Sequence, residues 1–161
     1  MNILITGSTF ANAYKLKRLL ERENSVFLAD ATELPEFLLK GSSFIKIPGA
    51  HSNTFVHEML KICLDNSIER VYPLLKQEIK ALADAIQLFE EYGIELMIPA
   101  KDQIAELLPL EVYSGREIVV IAHGECVATT AANNPKIPAD TERGVFWTNK
   151  ENTAFNIFTA D

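Results

Sequence analysis

A short apolar run, Asn2 to Thr6, ends in Gly7-Ser8-Thr9 and is followed by a helical pattern. A glycine turn between a strand and a helix presents backbone N–H groups at a helix N-terminus, which suits an anion. The same turn is also what any doubly wound sheet needs simply to reverse its chain. It is neither G-x-G-x-x-G nor a P-loop, because Gly7 stands alone and no G-K-[ST] follows. Asp30 closes the second apolar run, where dinucleotide folds place a ribose-binding acid. Without the glycine fingerprint, a helix cap or a solvated carboxylate is the simpler account of it. Glu78 opens the helix after the fourth run. There it complements the helix dipole, and it also stands at the carboxyl rim of the sheet, where α/β folds bind ligands.

The other chemistry-bearing residues form no complete site. His51 and His57 are six apart and do not share a helix face as an H-x-x-x-H pair would. His123, Glu125 and Cys126 resemble the start of a zinc deaminase signature, but the P-C-x-x-C half is absent. His123 reads as a turn residue, Cys63 as a core thiol and Cys126 as a strand residue. No G-x-S-x-G elbow appears. The expectation is therefore no metal site and no catalytic residue. Among 161 residues the net charge is −7, with no basic-aromatic stripe, which argues against a nucleic-acid partner. No apolar run is long enough to cross a bilayer, and MNILITGS has no basic leader. The expected location is the cytoplasm.

The elements that must position these residues alternate. Strands are predicted at Asn2–Thr6, Ser25–Ala29, Phe44–Ile47, Arg70–Leu75 and Ile94–Ile98. Helices are predicted at Ala11–Glu23, from an Asn53 or Thr54 cap to Asn66, and at Lys76–Tyr92, with one or two helical turns at Glu33–Leu39. On the first helix, Leu16, Leu19 and Leu20 face inward and Lys15, Lys17, Arg18 and Arg22 outward. Alternation of this kind implies a parallel, doubly wound, Rossmann-like α/β sheet of five strands over residues 1–99. Residues 100–161 read differently, as a short helix at Lys101–Leu108 followed by hairpins. Glu117–Ile121 pairs with Glu125–Thr130 across His123-Gly124, and Val145–Thr148 with Ala154–Thr159 across Asn149–Thr153. The expected result is a small antiparallel appendage, with Asn133–Arg143 as a loop.

Four segments carry a resemblance: ILITGS, the LAD ending of the second strand, KIPGAHSNTFVHEMLKIC and RVYPLLKQEIKALADAIQLFEEYGIELMIP. Together they resemble the N-terminal, pre-ATP-grasp domain of ATP-grasp enzymes. That group contains the carbamoyl-phosphate synthase large subunit, biotin carboxylase and related carboxylate–amine ligases. In that family the fourth strand ends in a proline followed by an acid opening the next helix, which matches Pro73 and Glu78. The usual acid two residues before that Glu is Lys76 here. By the same resemblance, PLEVYSGREIVVIAHGECVATTA is similar to a later part of the family. Leu110, Glu111 and Val112 would match the hinge along the adenine, and Gly115 and Glu117 the start of the following strand.

Between the two pieces the family carries a helical segment and a whole small ATP-clamping lobe. Here only Ala100 to Leu108 intervenes. The lysine strands and glycine-rich loop that bind phosphate are missing. So is an E-x-N metal motif, the nearest text being Phe155-Asn156-Ile157. Phosphoryl transfer depends on cationic clamps and Mg²⁺. The resemblance therefore implies a degenerate, non-catalytic remnant, binding a small ligand near Gly7, Ser8, Thr9, Asp30, Pro73 and Glu78 or docking on a protein. Exposed β edges point to a homodimer. The alternative is the N-terminal part of a split ATP-dependent carboxylate–amine ligase. In that case a separate ATP-grasp chain supplies the missing lobe. The isolated chain is expected to hold no cofactor, and ATP and Mg²⁺ only with that partner.

Overall fold

The computed structural model describes residues 1–161 apart from 36, 38–42, 110–114, 116, 134, 150, 152 and 153. The expected helical turns at 33–39 and the hinge match at Leu110, Glu111 and Val112 thus fall wholly or partly outside the described residues. Five strands build the first sheet: β1 (Asn2–Ile5), β2 (Ser25–Asp30), β3 (Ser43–Lys46), β4 (Arg70–Tyr72) and β5 (Glu95–Leu96). All are parallel, in the order β3-β2-β1-β4-β5. The helices are α1 (Ala11–Leu20), α2 (Phe55–Asp65), α3 (Lys76–Leu82), α4 (Ile86–Glu91) and α5 (Lys101–Leu107). The α/β class inferred from strand–helix alternation is the observed one.

Several elements end earlier than their hydrophobic patterns suggest, each for a local reason. Helix α1 stops at Leu20 rather than Glu23, where the Asn24 side-chain amide donates to the Leu20 carbonyl and satisfies it. Strand β4 stops at Tyr72 because Pro73 has no N–H to give the ladder. Strand β5 is only Glu95–Leu96; the Ile98 amide turns back onto the Leu96 carbonyl. Thr54 does hold the N-cap position of α2, but its hydroxyl bonds the Glu58 carboxylate and not a backbone N–H.

The helix predicted as continuous from Lys76 to Tyr92 is interrupted by a 3₁₀ turn at Ala83–Ala85. A 3₁₀ segment has 3.0 residues per turn, so positions three apart eclipse. Ile79, Leu82 and Ala85 accordingly line up in the core, and Phe89 follows. Ala83 and Ile86, which an uninterrupted α-helix would put on the same face as Ile79 and Leu82, are only partly buried.

The second sheet is antiparallel, with order β7-β6-β8-β9: β6 (Glu117–Ala122), β7 (Glu125–Thr129), β8 (Gly144–Thr148) and β9 (Phe155–Ile157). Ala122 pairs with Glu125, leaving His123-Gly124 as a two-residue loop. Both loop residues have positive φ, 53° and 74°, the signature of a type I′ turn. Strand β8 pairs with β6, Ile118 opposite Trp147 and Val120 opposite Val145, which joins the two expected hairpins into one sheet.

Strands β6 and β8 are buried on both faces. Val119, Ile121 and Phe146 join Leu4, Val71 and Phe89 in one core. Ile118, Val120, Val145 and Trp147 join Ile3, Ile5, Leu16 and Leu28 in the other. Residues on either side of Pro99 thus contribute to both cores. Gly144 begins β8 with φ +143°, and a Cβ there would meet the ring of fully buried Phe146 at 2.7 Å and Pro99 Cδ at 3.3 Å. Replacing Gly144 by Ala is expected to cost about 1–3 kcal/mol through overpacking and backbone strain. Urea unfolding at equilibrium measures it, and a change below about 0.5 kcal/mol, the range of a neutral surface substitution, contradicts the packing described.

Candidate functional site

The carboxyl ends of β1, β2 and β4 converge on the turn at Gly7-Ser8-Thr9. Gly7 has φ +66° and lies close to Leu74, Leu75 and Ala160. The next three amides are all engaged: Ser8 N–H donates to the Ala29 carbonyl at 3.2 Å, Thr9 N–H to Asp30 Oδ2 at 3.0 Å, and Phe10 N–H to the Gly7 carbonyl at 3.0 Å. The Thr9 hydroxyl donates to the same Asp30 oxygen at 2.9 Å, and Thr32 N–H donates to Oδ1 at 2.9 Å. Asp30, almost wholly buried, spends its carboxylate on ordering the loop after β1 and the chain after β2.

Glu78 is 2% exposed. The Thr6 hydroxyl donates to it while accepting from Leu74 N–H at 2.9 Å, so one side chain links the ends of β1 and β4 to the first turn of α3. Burial raises the Glu78 carboxyl to about 7; the Thr6 and Leu75 hydrogen bonds oppose this, and the Asp30 and Asp161 charges add to it. Pro73 is buried beside this link. Ser8 is 1% exposed, and its hydroxyl has no hydrogen-bond partner among the described residues.

Residues 158–161 lie across this edge. Ala160 N–H donates to the Leu74 carbonyl at 2.7 Å, and the Asn12 side-chain amide donates to the Thr159 carbonyl at 2.9 Å. Asp161 Oδ1 accepts from Lys76 N–H at 2.9 Å, at the start of α3. Nothing in the sequence marked this segment, because Phe158 and Thr159 simply extend the alternating pattern of β9. The structure thus brings Gly7, Ser8, Thr9, Asp30, Pro73 and Glu78 together, in an acidic environment whose three turn amides are already used and whose Ser8 hydroxyl is unpartnered among the described residues. Glu117 lies elsewhere, at the start of β6, and accepts from the Thr130 hydroxyl at 2.6 Å.

Among the described residues, no group of three or more His, Cys, Asp and Glu side chains is placed to hold a metal ion. His123 sits in the β6–β7 turn and meets Glu95 at 3.1 Å. Cys63 is buried in the core, its thiol pushed up to about 12 by desolvation, and Cys126 lies in β7. No helix is long and apolar enough to cross a membrane among the described residues.

The profile of the PylC-like, N-terminal domain family matches residues 3–97, which hold the parallel sheet apart from Asn2 together with α1 to α4. The chain belongs to this family. It is the N-terminal, pre-ATP-grasp type of domain that the sequence resemblance pointed to. In overall structure the chain is similar to the glycinamide-RNase-transformylase T of Mycobacterium tuberculosis, with a TM-score of 0.50 at 11% identity over 99% of this chain and 70% of that one. It is also similar to a pyruvate carboxylase of Rhizobium etli, with a TM-score of 0.50 at 10% identity over 100% of this chain and 23% of that one. At such identity the likeness is one of fold. No curated protein matches the chain in sequence.

The raised Glu78 carboxyl has a consequence for stability. Folded, it keeps its proton up to about pH 7, whereas its ordinary value is 4.5. The folded state therefore binds the extra proton in that window, and stability falls as pH rises from 4.5 to 7. Glu78→Gln is expected to remove this slope and to stabilise the protein by roughly 1–3 kcal/mol at pH 8, with little change at pH 4.5. Urea unfolding at the two pH values reads it, and equal effects at both would show that folding leaves the Glu78 carboxyl at its ordinary value.

Proposed function

We propose that this chain is a non-catalytic member of its family that works by binding. The observation that carries this reading is the state of the carboxyl edge. Its three turn amides, Asp30 and Glu78 all serve the fold, and residues 158–161 run over them. A reacting phosphoryl group needs cationic clamps and metal in place of that. Here the groups facing one another are Asp30, Glu78 and Asp161.

The connection after β5 supports the same reading. Helix α5 fills Lys101–Leu107, directly between the parallel sheet and the stretch leading to β6. By the resemblance, a phosphate-clamping lobe would occupy that interval. A chain of this build retains the scaffold that positions a ligand and lacks the groups that would transfer phosphate.

Turnover tests it. Purified protein incubated with Mg-ATP and a panel of carboxylates and amines is expected to release ADP at no more than the protein-free rate. Sustained ADP release by the chain alone overturns the proposal. Release that begins only when a separate ATP-grasp chain is added overturns it too, in favour of a split ligase.

A further inference from the structure

Resting on the reading of the chain as a binding protein, we infer that the cleft between α1 and the antiparallel sheet is a site for a small polyanion, a molecule carrying two or more phosphate or carboxylate groups. The cleft has a volume of about 620 Å³, within the range of small-molecule sites. Lys15 and Arg18 of α1 and Arg22 of the turn after it form one wall; Glu117, Thr130 and Trp147 lie opposite.

Three features set this cleft apart from an ordinary solvated helix face. First, it gathers three cations and one carboxylate in a protein whose net charge is −7. Second, those cations are unspent. Arg18 and Arg22 make no hydrogen bond or ion pair among the described residues, and Lys15 has only the Trp147 ring, 5.5 Å away. The neighbouring Lys17, by contrast, is paired with Glu21 at 3.3 Å. Third, Glu117 makes no ion pair with them among the described residues, and one carboxylate offsets only one of the three cations. Its carboxylate is held by the Thr130 hydroxyl, which in turn accepts from Ile118 N–H at 2.9 Å. Two guanidinium groups offer forked, bidentate donors to anionic oxygens, and the ammonium adds a compact point charge. Leu19 and Ile118 add an apolar floor. A second cationic cleft, beside Lys76, Lys80 and Lys101, differs in that Lys101 is already paired with Asp84.

The single tryptophan of the chain, Trp147, lines the cleft and lies under Lys15. An anion that draws Lys15 off the ring alters the cation–π contact, so fluorescence reports binding directly. Titration with inorganic pyrophosphate, and separately with citrate, at constant ionic strength is expected to give a saturable change with at least one of them. Saturation by pyrophosphate alone assigns a phosphate-bearing ligand, by citrate alone a polycarboxylate. The paired variant R18Q/R22Q, exposed and helix-compatible, is expected to melt within about 2 °C of the parent and to weaken binding at least tenfold. Lys80→Ala is expected to bind as the parent does. Absence of saturation with both probes overturns the inference, as does R18Q/R22Q titrating like the parent or Lys80→Ala losing the response. None of these results bears on ADP release, so failure here is separable from failure of the non-catalytic reading.

Discussion

Burial of β6 and β8 on both faces is the constraint from which the rest of the molecule follows. Antiparallel sheets usually keep one face in water and show it as alternating polar residues. Here Glu117–Ala122 and Gly144–Thr148 are apolar almost without interruption, and each strand divides its side chains between two cores shared with the parallel sheet. The antiparallel strands cannot shed the parallel sheet without exposing Val119, Ile121 and Phe146 on one side and Ile118, Val120 and Trp147 on the other. That requirement fixes where α1 lies, since Leu16 and Leu20 pack into the same core as Ile118 and Trp147. The cleft lined by Lys15 and Arg18 is the outer margin of that packing.

The same constraint explains the carboxyl edge. Once β9 is paired with β8, the chain after it emerges beside Leu74 and Gly7, and Ala160 pairs with the Leu74 carbonyl. The edge is thereby roofed by backbone, while underneath Thr6 bonds Glu78 and Asp30 bonds the loops after β1 and β2. Burial, and to a lesser degree the charges of Asp30 and Asp161, raise the Glu78 carboxyl to about 7. An anionic ligand placed there would meet Asp30 and Asp161. On the far side of α1 the balance is opposite, with unpaired cations and a carboxylate tied to a threonine. Electrostatics alone thus separates the two regions by the sign of ligand each can accept.

What the sequence made legible was local. Uninterrupted apolar runs at β1 and β2 and the turn at His123-Gly124 are decided within a few residues. So is the position of Glu78 at the start of α3. The 3₁₀ turn at Ala83–Ala85 was illegible because alanine fits the inner face at either period, and only tertiary packing chose Ala85 over Ile86. The pairing of β6 with β8 was illegible for another reason. Its partners are separated by a long loop, whereas a hairpin pattern announces only the nearest strand. Lys15, Arg18 and Arg22 read as a solvated helix face because their opposite wall, Glu117 and Thr130, lies about a hundred residues away in sequence.

This last point bears on how the family relationship is used. The matched residues, 3–97, supply only one wall of the cleft. Glu117, Thr130 and Trp147 come from the antiparallel sheet. A ligand held there would depend on how the two sheets are joined, a property of this chain as a whole. Fold likeness over 99% of the chain to a protein that shares 11% of its residues carries the juxtaposition of sheets but not the side chains that line it. The parallel sheet and α1 lie within the family match; the charge that α1 presents to the antiparallel sheet belongs to this sequence, and it is there that a specific function for the chain is to be sought.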